Sequence, residues 1–143
     1  MLDAGQSVNK LKILIVDDSE LNRELLASML EDEYEIYQVE NGKKAIGILE
    51  KSREEFKLVL LDMNMPVMDG YTFLNIVKQN PNMSGIPVIV MTQHESEENE
   101  IVALEHGATD FVAKPYHPQI LLHRIENLIK LSERAAMERQ LRF

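Results

Sequence analysis

Two apolar textures alternate along the chain. Short continuous runs rich in β-branched residues, Ile13–Val16, Leu58–Leu61, Val88–Met91 and Phe111–Ala113, have no polar face and predict strands buried on both sides. A weaker alternating run, Tyr34–Glu40, predicts an edge strand. Between these lie segments with helical spacing. Leu21, Leu25 and Met29 with Leu26 and Leu30 form one stripe, Ala45, Ile46 and Leu49 a second, and Phe73, Leu74 and Val77 a third. Ile101, Leu104 and Ala108 form a fourth, and Leu121, Ile125, Leu128 and Ile129 the last. Ser19 suits a helix N-cap, Gly107 a C-cap, and Pro81 and Pro87 mark one connection. Five repetitions of strand then helix predict an α/β domain over about residues 11–131, a three-layer (βα)5 doubly wound parallel five-stranded sheet with right-handed crossovers. Residues 1–10 are then an N-terminal extension, and 132–143 a helical C-terminal extension or the start of a linker.

Composition narrows the chemistry. The 143 residues suit one domain, and 15 Lys and Arg against 24 Asp and Glu give a net charge of −9. Such a surface is a poor partner for nucleic acid and a better one for cations and basic proteins. With no Cys, disulfide frameworks, thiolate catalysis, Cys-ligated zinc and iron–sulfur clusters are excluded. The longest purely apolar runs fall far short of the roughly 20 residues of a membrane span. The first ten residues, MLDAGQSVNK, lack the apolar core of a signal peptide. A cytoplasmic location with no membrane contact is the expectation.

In doubly wound sheets the binding crevice lies outside the carboxyl ends of the strands. The four core strands end there in Asp17-Asp18, Asp62, Thr92 and Lys114. If the first and third strands are neighbours, three carboxylates converge at one sheet edge. Helix capping accounts for one aspartate after the first strand, but Ser19 alone can cap and the second stays unexplained. Crowded carboxylates raise one another's pKa or recruit a cation. With only oxygen donors on offer, that cation is Mg²⁺. Lys114 read alone is an ordinary surface lysine, and Thr92 a strand residue or cap. Together with a cation cage they describe a phosphoryl pocket in which a carboxylate is the only plausible nucleophile.

The segments VDD at 16–18, LDMNMPVMDG at 61–70, MT at 91–92 and KP at 114–115 closely resemble the motifs of a response-regulator receiver domain of two-component signalling. The resemblance covers about residues 11–131 and implies a flavodoxin-like strand order of 2-1-3-4-5. It further implies that Asp62 is the phosphoacceptor and that Asp17 and Asp18 hold Mg²⁺ (Mn²⁺ can substitute), Asp18 directly and Asp17 through water. Asn64 would lend its backbone carbonyl to the metal, Lys114 would pair with one phosphate oxygen, and Thr92 would donate to another. Phe111 matches an aromatic switch position, and Lys114–Pro115 resembles the family's cis peptide. Asn64 and His94 match the positions that tune dephosphorylation, although His94 also reads as a solvated loop residue. His106, His117 and His123 show no metal spacing, and His106 suits a helix C-terminus. Met63, Met65 and Met68 are read as core filling around the loop after Asp62.

The implied partners are a sensor histidine kinase or phosphotransfer protein. An output domain or partner protein would be met through helix 95–106, strand 110–113 and helix 117–131, and a homodimer is possible. Phosphorylation would draw Thr92 and Lys114 inward and let Phe111 pack inward, so the resemblance implies a signalling switch, not an enzyme, that catalyses its own Mg²⁺-dependent aspartyl phosphorylation and dephosphorylation. SERAAMERQLRF after Leu131 extends the last helix by about three turns, frayed or serving as a linker. No segment resembles an effector domain, so the chain is expected to be either a stand-alone receiver or a fragment. Two rival site chemistries fail on single positions. A flavodoxin-like flavin site needs a neutral phosphate loop where Asp17-Asp18-Ser19-Glu20 stands. An aspartate-nucleophile phosphatase needs a second Asp where Asn64 stands. An interaction module without phosphoryl chemistry is separable only by experiment.

Overall fold

The computed structural model describes residues 10–52, 55–63, 68–92 and 97–141. Five strands, β1 (Leu11–Val16), β2 (Tyr34–Val39), β3 (Phe56–Asp62), β4 (Val88–Thr92) and β5 (Asp110–Ala113), alternate with five helices. The helices are α1 (Glu20–Leu30), α2 (Gly42–Ser52), α3 (Gly70–Gln79), α4 (Glu97–Glu105) and α5 (Pro118–Leu141). All neighbouring strands pair in parallel, in the order β2-β1-β3-β4-β5. This is the doubly wound fold that the alternation predicts.

Each core strand is apolar on both faces because each face meets a different helix layer. Ile13 and Ile15 of β1, with Leu58 and Leu60 of β3, pack in a cluster with Leu26 and Leu30 of α1 and Leu121 and Ile125 of α5. The alternate residues Leu14, Val16, Val59 and Leu61 belong to the opposite cluster, with Ala45 and Leu49 of α2 and Phe73, Leu74 and Val77 of α3. Ser19 caps α1, accepting from the Asn22 N–H at 3.2 Å. Gly107 adopts φ +108°, a left-handed geometry that suits glycine at the end of α4.

Two helical stripes differ from expectation. In α1 the Leu26–Leu30 row faces the sheet, while Leu21 and Leu25 are exposed. An apolar arc wider than the sheet can cover leaves its outer row in solvent. Among the described side chains of α4, Ala103 is buried, and Ile101, Val102 and Leu104 are exposed. A short apolar side chain lets the helix lie close to the sheet, and its larger residues then point away. The last helix runs on to Leu141, with Leu131, Met137 and Leu141 exposed. No helix among the described residues is long and apolar enough to cross a membrane.

Candidate functional site

Register creates the site. β1 and β3 align with Val16 opposite Leu61, so the next residue on each strand, Asp17 and Asp62, emerges side by side. Asp18 follows at once. One carboxylate oxygen from each of Asp17, Asp18 and Asp62 lies within 4.8 Å of the others. Asp17 is 3% exposed and Asp62 8%, whereas Asp18 is exposed. Three anions this close, two of them screened from water, are strongly repulsive unless a cation joins them.

One cation is built in. Lys114 Nζ lies 3.5 Å from Asp17 Oδ2 and 3.9 Å from Asp62 Oδ1. It reaches this place because β5 pairs with β4 up to Ala113 opposite Thr92, and the Lys114 N–H then donates to the Thr92 carbonyl at 2.7 Å. The Lys114–Pro115 peptide is cis, matching the resemblance. Thr92 ends β4 and is buried at the same sheet edge.

The β1–α1 turn that carries the acid pair is heavily tied. The Asp17 N–H donates to the Val39 carbonyl at 3.1 Å, and Asp17 Oδ1 accepts from the Ser19 N–H at 2.8 Å. Arg23 Nη1 donates to the Asp17 carbonyl at 2.8 Å. On the other side a groove of about 540 Å³ is lined by Asn22, Leu25, Leu26, Lys114, Pro115 and Tyr116. Burial raises the pKa of the Tyr116 phenol, with the charge of Asp17 adding to the effect. Arg23 and Tyr116 are not visible as site residues in the sequence, because only the fold brings them to Asp17. The sole hint is the position of Arg23 beside Ser19 on the helix that starts at the acid pair.

Asp17, Asp18, Asp62, Thr92 and Lys114 thus come together as the sequence predicts. Phe111 lies one strand away and is already inside, 9% exposed in the cluster that holds Val88, Val90 and Ala103. The expected inward movement of this ring therefore has no outward starting position here. Its strand neighbours leave it on the buried face of β5. Asn64 and His94 lie outside the described residues, as does Met65. Met63 is core, and Met68 packs against the same core. His106 makes a contact of 2.8 Å from Nδ1 to the Val102 carbonyl near the end of α4, with its ring against Tyr71, a structural role.

A parallel sheet wound 2-1-3-4-5 with carboxylates, a lysine and a hydroxyl at its carboxyl edge is a doubly wound α/β domain with an aspartate-centred site. The family model for the response regulator receiver domain matches residues 13–126, and the chain belongs to that family. An uncharacterised 14.6 kDa protein of Leptolyngbya boryana is 38% identical over 122 residues, covering 85% of this chain and 92% of that protein. The response regulator PleD of Caulobacter vibrioides is 36% identical over 120 residues, 83% of this chain but 26% of PleD. The chain therefore spans about a quarter of that larger relative. Among solved structures, the chemotaxis protein CheY4 of Vibrio cholerae superposes with a TM-score of 0.76 at 31% identity, covering 83% of this chain and 98% of CheY4. The receiver domain of the sensor histidine kinase PA1611 from Pseudomonas aeruginosa, with a magnesium ion coordinated in its active-site cleft, gives 0.77 at 26% identity, covering 85% and 98%.

Proposed function

We propose that this receiver domain, residues 11–131, takes a phosphoryl group from a phosphohistidine onto Asp62. The donor is a sensor histidine kinase or phosphotransfer protein. The observation that carries this reading is the convergence of Asp17, Asp18 and Asp62 with Lys114 at one buried sheet edge. An all-oxygen carboxylate set fits a hard divalent cation, Mg²⁺ with Mn²⁺ as a substitute. Asp17, Asp18 and Asp62 would hold it, with the backbone carbonyl of Asn64, which lies outside the described residues. When bound, the cation supplies charge neutralisation for the phosphoryl oxygens.

The chain's own residues do the rest. A carboxylate oxygen of Asp62 attacks phosphorus in line, a new O–P bond forms, and the P–N bond to the donor imidazole breaks with its electron pair leaving on nitrogen. Lys114 holds another phosphoryl oxygen, and the Thr92 hydroxyl donates to a third. The acyl phosphate carries about −1.5 to −2 charges, by analogy with other phosphorylated side chains, where the carboxylate carried −1, so the site gains up to about one negative charge and three acceptor oxygens. Thr92 would relay this change to α4, β5 and α5, whose exposed Ile101, Val102, Leu104 and Ile120 offer a face for an output domain, a partner protein or a second copy. Asn64 and His94 would tune hydrolysis. The helical extension beyond residue 131 would lead toward an output, and the domain would work in the cytoplasm without direct contact to nucleic acid.

Intact-protein mass spectrometry after incubation with acetyl phosphate tests this reading. One added phosphoryl group that requires Mg²⁺ and is absent in Asp62→Asn supports it. No adduct with either acetyl phosphate or a competent phosphohistidine donor would leave a pure interaction module.

A further inference from the structure

We infer that Arg23 is a positioning residue for the cation-holding acid pair, fixing the peptide between Asp17 and Asp18 so that the Asp18 carboxylate is aimed into the site. This rests on the proposed reading of that site as a Mg²⁺ centre.

The two aspartates are held in different ways. Asp17 has partners for its carboxylate, the Ser19 N–H at 2.8 Å and Lys114 Nζ at 3.5 Å. Asp18 is exposed, so the point from which its side chain departs is set by its backbone. A peptide unit is planar and includes the α-carbons at both ends. Pinning the Asp17 carbonyl therefore pins the α-carbon from which the Asp18 side chain departs. Arg23 Nη1 supplies that pin at 2.8 Å, a charge-assisted bond, while the Arg23 backbone N–H ties the helix start to the Ser19 carbonyl at 3.0 Å. The preceding side of Asp17 is fixed separately, by its N–H on the Val39 carbonyl of β2. Together these bonds hold both ends of the Asp17 backbone.

The sign of the effect separates positioning from plain charge. A guanidinium near a cation site repels the cation, so if charge alone mattered, its removal would tighten Mg²⁺ binding. Positioning predicts the reverse. Isothermal titration of the full chain with Mg²⁺ should show Arg23→Ala and Arg23→Gln weakened by about tenfold, the scale of lost outer-shell partners at metal sites. Arg23→Lys, which retains a cationic donor, should fall between them and the wild type. Because Arg23 acts through Asp18, adding Arg23→Ala to Asp18→Asn should cost little further affinity, a coupling that a general loss of stability would not produce.

Unchanged or tighter Mg²⁺ binding in Arg23→Ala and Arg23→Gln, or full additivity with Asp18→Asn, would overturn the inference while leaving the site reading intact. A wild-type chain that binds no Mg²⁺ would instead overturn the site reading. Melting in EDTA checks that each variant folds. If Arg23→Ala does not, the Gln and Lys variants carry the comparison.

Discussion

Two lysines in this molecule each stand between two carboxylates, at opposite ends of the sheet. Lys12, near the start of β1, lies 3.1 Å from Glu55 Oε1 and 3.9 Å from Glu35 Oε2. Lys114, just past β5, lies 3.5 Å from Asp17 Oδ2 and 3.9 Å from Asp62 Oδ1. The distances barely differ, but the surroundings do. The side chains of Glu35 and Glu55 are 46% and 53% exposed, against 4% and 10% for Asp17 and Asp62. At the first end water screens every charge, and the hydrogen bond that Lys12 donates to Glu55, with smaller help from neighbouring charges, raises the Lys12 pKa. At the second end the protein excludes water, and carboxylates on short side chains have no room to separate. Burial, not ion-pair geometry, turns one of two similar triads into a site.

The largest contrast should come from Asp62→Asn, which removes the proposed nucleophile and should abolish the Mg²⁺-dependent phosphoryl adduct in intact mass measurements. Lys114→Met should come next. It leaves Asp17 and Asp62 without their lysine and should cost about 3 kcal/mol in denaturant unfolding with EDTA present, with added Mg²⁺ restoring part of the loss. A neutral effect in EDTA would mean that the buried triad is no more coupled than the exposed one.

Packing around the site gives the next effect. The Gly70 N–H donates to the Met63 carbonyl at 3.2 Å, drawing the start of α3 against the residue after Asp62. A Cβ at Gly70 would run into Met63 Sδ and lie 2.9 Å from Met63 Cα. Because a backbone atom cannot retreat, Gly70→Ala should destabilise by about 2 kcal/mol in the same unfolding assay.

Asp69 sharpens the comparison from the side of a well-solvated carboxylate with a defined partner. It caps α3, accepting from the Thr72 N–H at 2.8 Å, and that bond holds its pKa below the ordinary value. Asp69→Ala should cost about 1 kcal/mol near neutral pH. A carboxyl group with a depressed pKa in the folded state stabilises above its unfolded pKa and loses that contribution as pH falls through the folded one. The gap between wild type and Asp69→Ala should therefore narrow in acid, as read by thermal melts across a pH series. Smallest of all, Lys12→Met should shift the melting midpoint only slightly, and that shift should shrink further in high salt.

Much of this contrast is written in the sequence. ILIV and LVLL lack a polar face because both sides of β1 and β3 are covered, which marks them as core strands and places Asp17, Asp18 and Asp62 at their ends. The same logic gives Thr92 and Lys114. What periodicity does not show is which strands are neighbours, and the convergence of the acids depends on β1 lying beside β3. Strand order is implied by the family resemblance and not by periodicity, because neighbours in a sheet are settled by long-range packing. Arg23 and Tyr116 are not legible in the sequence for a related reason: their roles are contacts made across the β1–α1 turn and the end of β5. The exposed rows of α1 and α4 show the limit of helical spacing, which finds an apolar stripe but not the part of it that the sheet covers.

The most direct test of the central claim is to locate the phosphoryl group. Borohydride reduces an acyl phosphate on aspartate to homoserine, which peptide mapping can place on the chain. After treatment with acetyl phosphate and Mg²⁺, homoserine should appear at position 62 alone and should be absent when EDTA replaces Mg²⁺. Reduction at another carboxylate, or equal labelling without the cation, would contradict the assignment of Asp62 as the phosphoacceptor of a cation-dependent site.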